Sequence, residues 1–210
     1  LFRSDDDAHR AYLAPGHDIA LTPGLRAEAL AVAAGETNPW TLARRFYDHI
    51  LATVPYSLTP HATLMLLGIP ESEWVRTMRR GDCGAQSMFF AALCRAVGIP
   101  ARATGGHQLF PGMAGPHFWA EFFLPGHGWI PVDPTVAEAS DWTGSITEEQ
   151  RAAFKDFYFG NLDPYRLVIQ TDVDKRLSPD TGAGSPYGNL LTGPRPLLVD
   201  TSVIVDGRIA

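Results

Sequence analysis

Lysine is nearly missing from this chain: Lys155 and Lys175 stand against fifteen arginines, a skew that reads as coding bias and carries no function. Cysteine is almost as scarce. Cys83 and Cys94 lie eleven positions apart, which gives neither a disulfide framework nor a zinc-site spacing. Long apolar runs are lacking too. The longest, Met88 to Cys94, stops at Arg95 and falls far short of the roughly 20 residues that span a bilayer. Positive charge is in deficit, with 17 Lys and Arg against 23 Asp and Glu for a net −6. That balance argues against a nucleic-acid backbone or an anionic membrane as the main partner. The chain starts at Leu1 without an apolar leader, so an export signal is expected to be already removed or never present.

What is there is an ordinary globular composition: 210 residues, 45% hydrophobic and 19% charged. A chain of this size buries roughly 70% of the surface it exposes when unfolded. One large domain with extensions is expected, standing without disulfide or structural metal. Gly and Pro punctuate it. A loose entry segment fills the first twenty residues, with Asp5–Asp7 a solvated run. A helix fits Pro23 to Ala34, stopped by Gly35. Asn38 caps a second helix with Pro39 at its first position, running to Val54. Short helices follow near 61–67 and 71–79. The strongest helix spans about Cys83 to Val97, with Met88, Phe89, Ala92, Leu93 and Ala96 all round its axis, so it should be buried. Thr104 to Pro116 holds six Gly or Pro in thirteen residues and reads as a loop. Phe118–Leu124 and Trp129–Asp133 read as strands around the turn Pro125–Gly128. Thr147 and Gln150 form a capping box for a helix ending near Phe159. Strands are expected at Tyr165–Thr171 and Leu197–Val205, joined by a Gly/Pro-rich connection at Ser178–Pro196. Helices first and strands later make an α+β architecture.

Cys83, between Gly81-Asp82 and Gly84, opens the buried helix. A helix N-terminus favours thiolate over thiol, and small flanking residues let a substrate backbone approach. A lone cysteine is more often a small core hydrophobe, which is the reading for Cys94. His117 and Asp133 change the balance for Cys83, because a nucleophile, an imidazole base and a carboxylate that orients the base are what acyl transfer requires. Strand register decides whether the last two meet. If Leu124 pairs with Gly128, Trp119 lies opposite Asp133 and His117 is its diagonal neighbour. If Phe123 pairs with His127, His117 lies directly opposite. Even-length loops would put the two on opposite faces.

Three blocks in this order are similar to a known family. Gly81-Asp82-Cys83-Gly84 leads into Ala91-Ala92-Leu93-Cys94-Arg95-Ala96-Val97-Gly98-Ile99-Pro100-Ala101-Arg102. His117-Phe118-Trp119-Ala120-Glu121 and Gly128-Trp129-Ile130-Pro131-Val132-Asp133-Pro134-Thr135 follow. The pattern resembles the transglutaminase-like superfamily of papain-fold enzymes, over roughly Asn38 to Thr171. The resemblance implies helices packed on an antiparallel sheet, with the nucleophile at the start of a central helix. It implies a Cys83, His117, Asp133 triad that acts on a peptide or amide bond through a thioester. Tyr56 stands where relatives often carry a tyrosine after the first long helix and is the candidate oxyanion donor. Trp119 and His107 are candidates to line the substrate cleft. Gln86, near a position that is often acidic or amide, is given no role. Nothing resembles the calcium sites of animal transglutaminases or the zinc site of peptide N-glycanases, so no metal or cofactor is expected.

The resulting expectation is a protease- or amidase-like hydrolase with a peptide or protein substrate. The alternatives are a protein-glutamine transglutaminase with an amine acceptor and a non-catalytic peptide-binding module of the same fold. An arylamine acetyltransferase shares the triad, but its arginine-rich lead into the cysteine is unmatched beyond Arg79-Arg80. Residues 1–22 are expected to be an extension, 23–175 the catalytic domain and 176–210 a Gly/Pro-rich loop and strand extension. The chain is compatible with being part of a longer protein. A free thiol leaves both cytoplasm and envelope open, with a lean to the envelope.

Overall fold

The structure, a computed structural model, describes residues 7–173, 175–176 and 190–191. In chain order the first half is helical: α1 (Asp7–Arg10), α2 (Pro23–Ala33), α3 (Pro39–Thr53), α4 (His61–Leu67), α5 (Glu71–Met78) and α6 (Cys83–Ala96). Then come β1 (Ala101–Phe110), β2 (Met113–Leu124), β3 (Gly128–Val132), α7 (Pro134–Glu138), a 3₁₀ turn (Ala139–Trp142), α8 (Glu148–Phe157), β4 (Arg166–Gln170), and the short pair β5 (Lys175–Arg176) and β6 (Leu190–Leu191). The strand expected at Leu197–Val205 and nearly all of the Ser178–Pro196 connection lie outside the described residues.

Local chemistry accounts for the helix starts. Thr22, Asn38, Asp82 and Thr147 each cap a helix with a side-chain oxygen on a first-turn N–H, and Thr147 and Gln150 complete the reciprocal box at α8. Pro sits in the first turn of α2 and α3, where no N–H is needed. α6 is buried from Gly84 to Arg95, so its sequence is apolar or small on every side. The one charge in that stretch, Arg95, is spent on backbone: Nε donates to the Ala101 carbonyl at 2.8 Å and Nη1 to that of Ala14 at 2.7 Å.

The sheet is antiparallel with order β3-β2-β1-β4. α6 lies against β1 and β2, and α2, α3 and α5 pack on its other sides. Ala101, Ala103, Phe118, Ala120 and Phe122 meet Met88, Phe89 and Phe90 in one core.

Two expectations need correction. The segment Thr104–Pro116 is not a loop but most of a long hairpin, turning at Pro111-Gly112 with Phe110 opposite Met113. Gly105 and Gly106 allow close approach, at the point where the register of β1 on β4 shifts. A Cβ on Gly105 would fall 2.5 Å from the Phe118 ring, and one on Gly106 would fall 1.9 Å from the Leu167 carbonyl oxygen of β4. The entry segment, where described, is also not loose. His9 stacks on Phe123 with centroids 3.8 Å apart, Tyr12 meets Trp129 edge-on, and Ile19 is buried in the core. Its backbone is tied down as well, by Ala101 N–H on the Tyr12 carbonyl and Ser72 N–H on that of Asp18.

Gly106→Ala should therefore push β4 off the sheet and destabilise the protein by about 2–4 kcal/mol, as overpacking against backbone does. Gly115→Ala, with open space at its Cβ position, should stay within about 0.5 kcal/mol of the parent. Urea midpoints for the two variants check this, and equal midpoints would remove the close-approach explanation.

Candidate active site

Cys83 occupies the first position of α6, with Asp82 as cap: Asp82 Oδ1 accepts from the Ala85 N–H at 3.1 Å. The Gln86 N–H bonds the Asp82 carbonyl. The Cys83 N–H, one of the orphan donors of a first helical turn, has no intrahelical acceptor. The thiol is partly exposed, whereas Cys94 is fully buried, and burial pushes the Cys94 thiol well up from its ordinary value.

Leu124 pairs with Gly128, so Trp119 falls across from Asp133 and His117 is diagonal to it. The diagonal is closed by side chains, with His117 Nε2 donating to Asp133 Oδ2 at 2.7 Å. The Cys83 sulfur lies close enough to act electrostatically on the His117 ring. With Nε2 on the carboxylate, Nδ1 is the nitrogen left to serve the thiol. Burial works against a charge on His117, but the Asp133 carboxylate and the Cys83 sulfur outweigh it and raise the imidazole well above its usual range.

Asp133 is completely buried. Its Oδ1 accepts from the Val136 N–H at 3.0 Å, capping α7, and Oδ2 also accepts from Arg166 Nη1 at 2.8 Å. Burial alone would raise this carboxyl, but the charges of His117 and Arg166 and the Val136 N–H hold it below the ordinary range. Arg166 is held in turn by Asp163, 2.6 Å from Nη2, and lies over the Trp119 ring at 5.5 Å. Trp119 stacks on His117 with centroids 6.3 Å apart.

Tyr56 comes from the loop after α3 and is bridged to Gly81. It lies within electrostatic reach of Cys83, and burial together with that charge raises its phenol. Its own backbone N–H is not available, because both Glu138 oxygens accept it at 2.8 and 3.0 Å. The hydroxyl is what Tyr56 has to offer. Gln86 points the other way, donating to the Val54 carbonyl and to Glu138 and accepting from Thr135. It ties the Tyr56 loop to α6 and α7.

The two cleft candidates are not brought to the nucleophile by any such contact. Trp119 is fully buried and covers the His117–Asp133 pair, so a substrate has no surface of it to touch; this corrects its place in the cleft. His107 is half-buried on β1 between Pro116 and Leu167, with Nε2 lacking a hydrogen-bond partner. Arg166, Glu138 and His61 were not singled out from sequence. Arg166 alone left a signal, as an arginine opening an otherwise apolar strand. Among the described residues, no group of three or more His, Cys, Asp or Glu is arranged to hold a metal ion, and no helix is long and apolar enough to cross a membrane.

A cysteine at the head of a buried helix, facing a histidine and an aspartate on an antiparallel sheet, defines a papain-like, transglutaminase-like α+β fold. The chain belongs to the transglutaminase-like superfamily, whose sequence model matches residues 26–134. It is similar to a protein-glutamine gamma-glutamyltransferase of Pseudomonas aeruginosa, with 34% identity over 43% of this chain and 22% of that protein. An uncharacterized protein of Haemophilus influenzae is 29% identical over 53% of this chain and 38% of its own. The chain thus spans well under half the length of these relatives. Among solved structures, the periplasmic domain of TgpA from P. aeruginosa superposes with a TM-score of 0.52 at 26% identity, covering 66% of this chain and 50% of that one. A proposed cysteine protease from Cytophaga hutchinsonii shares the fold, with a TM-score of 0.52, 22% identity and coverage of 90% and 62%.

Because Arg166 is the second cation on a buried carboxylate, Arg166→Met should cost about 3–5 kcal/mol, the usual loss when one partner of a buried ion pair is removed. Arg166→Lys should recover only part of it, since one ammonium cannot bridge Asp133 and Asp163 as the guanidinium fork does. Denaturant midpoints measure both. A Met variant as stable as the parent would show the pair to be dispensable.

Proposed function

We propose that this chain is a cysteine-dependent acyl-transfer enzyme acting on peptide or amide bonds through Cys83, His117 and Asp133. One observation carries the reading: His117 is hydrogen-bonded to buried Asp133 at the open end of α6, with the Cys83 sulfur acting on the same ring. His117 Nδ1 takes the Cys83 proton, and the Asp133 carboxylate stabilises the imidazolium that forms. The thiolate attacks the substrate carbonyl. The Cys83 N–H stands where the developing oxyanion would lie, with the Tyr56 hydroxyl as the candidate second donor. His117 hands its proton to the departing amine, leaving a thioester on Cys83 and a neutral imidazole. Asp133 keeps Nε2 protonated throughout, so Nδ1 is the nitrogen that donates and then accepts. The same imidazole takes a proton from the incoming acceptor, and collapse of the second tetrahedral adduct frees the thiol.

Water is the favoured acceptor, as for a protease or amidase. An amine acceptor is the second reading, supported by the likeness to a protein named as a gamma-glutamyltransferase. Acylating the protein with an activated amide or thioester and following hydrolysis against amide formation, with and without added amine, separates the two. A protein that forms no acyl-enzyme with either would instead be a binding module.

Cys83 should be the reactive thiol. Iodoacetamide at mildly acidic pH, followed by peptide mass spectrometry, should label Cys83 well before Cys94, whose burial both hides it and disfavours its thiolate. Equal labelling would remove the basis for calling Cys83 the nucleophile.

Asp133→Asn should slow single-turnover acylation by roughly 10²–10⁴, bracketed by general-base magnitudes and by the serine-protease precedent for an aspartate-to-asparagine change. Melting curves recorded alongside separate this loss from destabilisation, since Asp133 also pairs buried Arg166, and the rate is read at a temperature where the variant is folded. If the variant acylates as fast as the parent, Asp133 is a structural residue.

A further inference from the structure

Joined to Cys83 through the cap of α6 lies a second histidine–carboxylate assembly that the mechanism above does not use. His61, the first residue of α4, donates from Nδ1 to Glu71 Oε1 and from Nε2 to Asp82 Oδ2, both at 2.6 Å. Both carboxylates are buried, at 4% and 8% exposure. Facing carboxylates on both nitrogens, the ring is favoured with both protons in place, as an imidazolium. Burial opposes that charge, and the two carboxylates overcome it, taking the ring up to about 10. Asp82 is the cap of α6 and the residue directly before Cys83. Its backbone N–H is pinned as well, donating to Thr59 Oγ1 at 3.0 Å.

This placement presents an electrostatic problem. An uncompensated carboxylate one residue from the nucleophile repels a thiolate, opposing the helix terminus and His117. The groups that bear on the Cys83 charge are His117 from β2, with Asp133 behind it; Tyr56 from the loop after α3, with Glu138 behind its N–H; and Asp82, with His61 and Glu71 behind it. His61 supplies the positive charge on the Asp82 side.

We propose that His61 is a positioning residue for Cys83: its imidazolium, clamped between Glu71 and Asp82, orients the Asp82 cap and offsets a negative charge that would otherwise work against the Cys83 thiolate. The proposal rests on Cys83 being the nucleophile. Removing His61 takes away the cation 2.6 Å from the Asp82 carboxylate, which keeps the Ala85 N–H as a partner. The thiolate then faces a bare carboxylate.

The test is a charge cycle read by the rate of Cys83 alkylation by iodoacetamide at pH 6 in the folded protein, with Cys94 labelling and melting curves alongside. His61→Gln, which keeps one donor but no charge, should slow Cys83 alkylation about tenfold, the scale of one nearby charge at an effective dielectric near 20. Asp82→Asn, which can still cap, should alkylate at least as fast as the parent. In the Asp82→Asn background, His61→Gln should have no further effect on the rate. A structural role for His61 would instead lower the melting temperature and leave the rate ratio the same in both backgrounds, which overturns the proposal. If His61→Gln does not fold, slower alkylation in Asp82→Asn alone overturns it, and an equal or faster rate supports it. A parent protein in which Cys83 is no more reactive than Cys94 rejects the nucleophile itself, and the proposal with it.

Discussion

A carboxylate with no exposure to solvent is the constraint around which the rest of this molecule is arranged. Asp133 can stay ionised in the interior only if its oxygens are filled. They are filled from three directions: an imidazole from β2, a guanidinium from β4 and a backbone N–H from α7. Each donor fixes an element. His117 must sit diagonally across the β2–β3 pair. β4 must return along β1 to deliver Arg166. α7 must start at once after β3, which the Asp133 cap and Pro134 at its first position allow. Burial costs the carboxylate its water, and the three donors replace it with partners that cannot reorient.

The same rule, a histidine held against a buried carboxylate, occurs twice around one helix terminus. On the sheet side, the carboxylate is backed by Arg166 and Asp163 and the imidazole is free to use its second nitrogen. On the helical side, His61 has carboxylates on both nitrogens and nothing left to exchange. The difference is chemical. A ring with one nitrogen open can shuttle a proton, while a ring closed on both sides serves as a fixed charge. α6 lies between them, and its small residues near the N-terminus, Gly84 and Ala85, let both assemblies close around Cys83.

What was legible in the sequence was local. The all-round apolar pattern gave α6; Asn38-Pro39 gave α3; Thr147 and Gln150 gave α8. Alternation gave β3 and the second half of β2. The hairpin arm from Thr104 to Pro116 was misread because Gly105 and Gly106 look like punctuation. Nothing local says that a phenylalanine ring and a neighbouring strand occupy the space where their side chains would be. His117 and Asp133 could be put on one face, but the choice between a diagonal and a direct pairing depended on a turn that permits either. Arg166, His61 and Glu138 were illegible for another reason. Their partners lie 33, 21 and 82 positions away, and no periodicity links residues that meet only once the layers have packed.

This long-range closure also bears on where the working unit ends. The family's sequence pattern stops at residue 134, one residue past Asp133 and well before Arg166. That range takes in Cys83, His117 and Asp133, the proposed triad. It does not register the cation that makes burying the carboxylate tolerable. By physical criteria the unit must include β4. A chain cut after α7 would keep every residue of the proposed triad and leave Asp133 with an imidazole and one backbone N–H but no guanidinium from β4. Without the guanidinium the ionised carboxylate keeps His117 and the Val136 N–H but loses a charge that favours it, and the imidazolium it supports is favoured less in turn. The cation on β4 is thereby as much a condition of the site's chemistry as the residues that face the substrate.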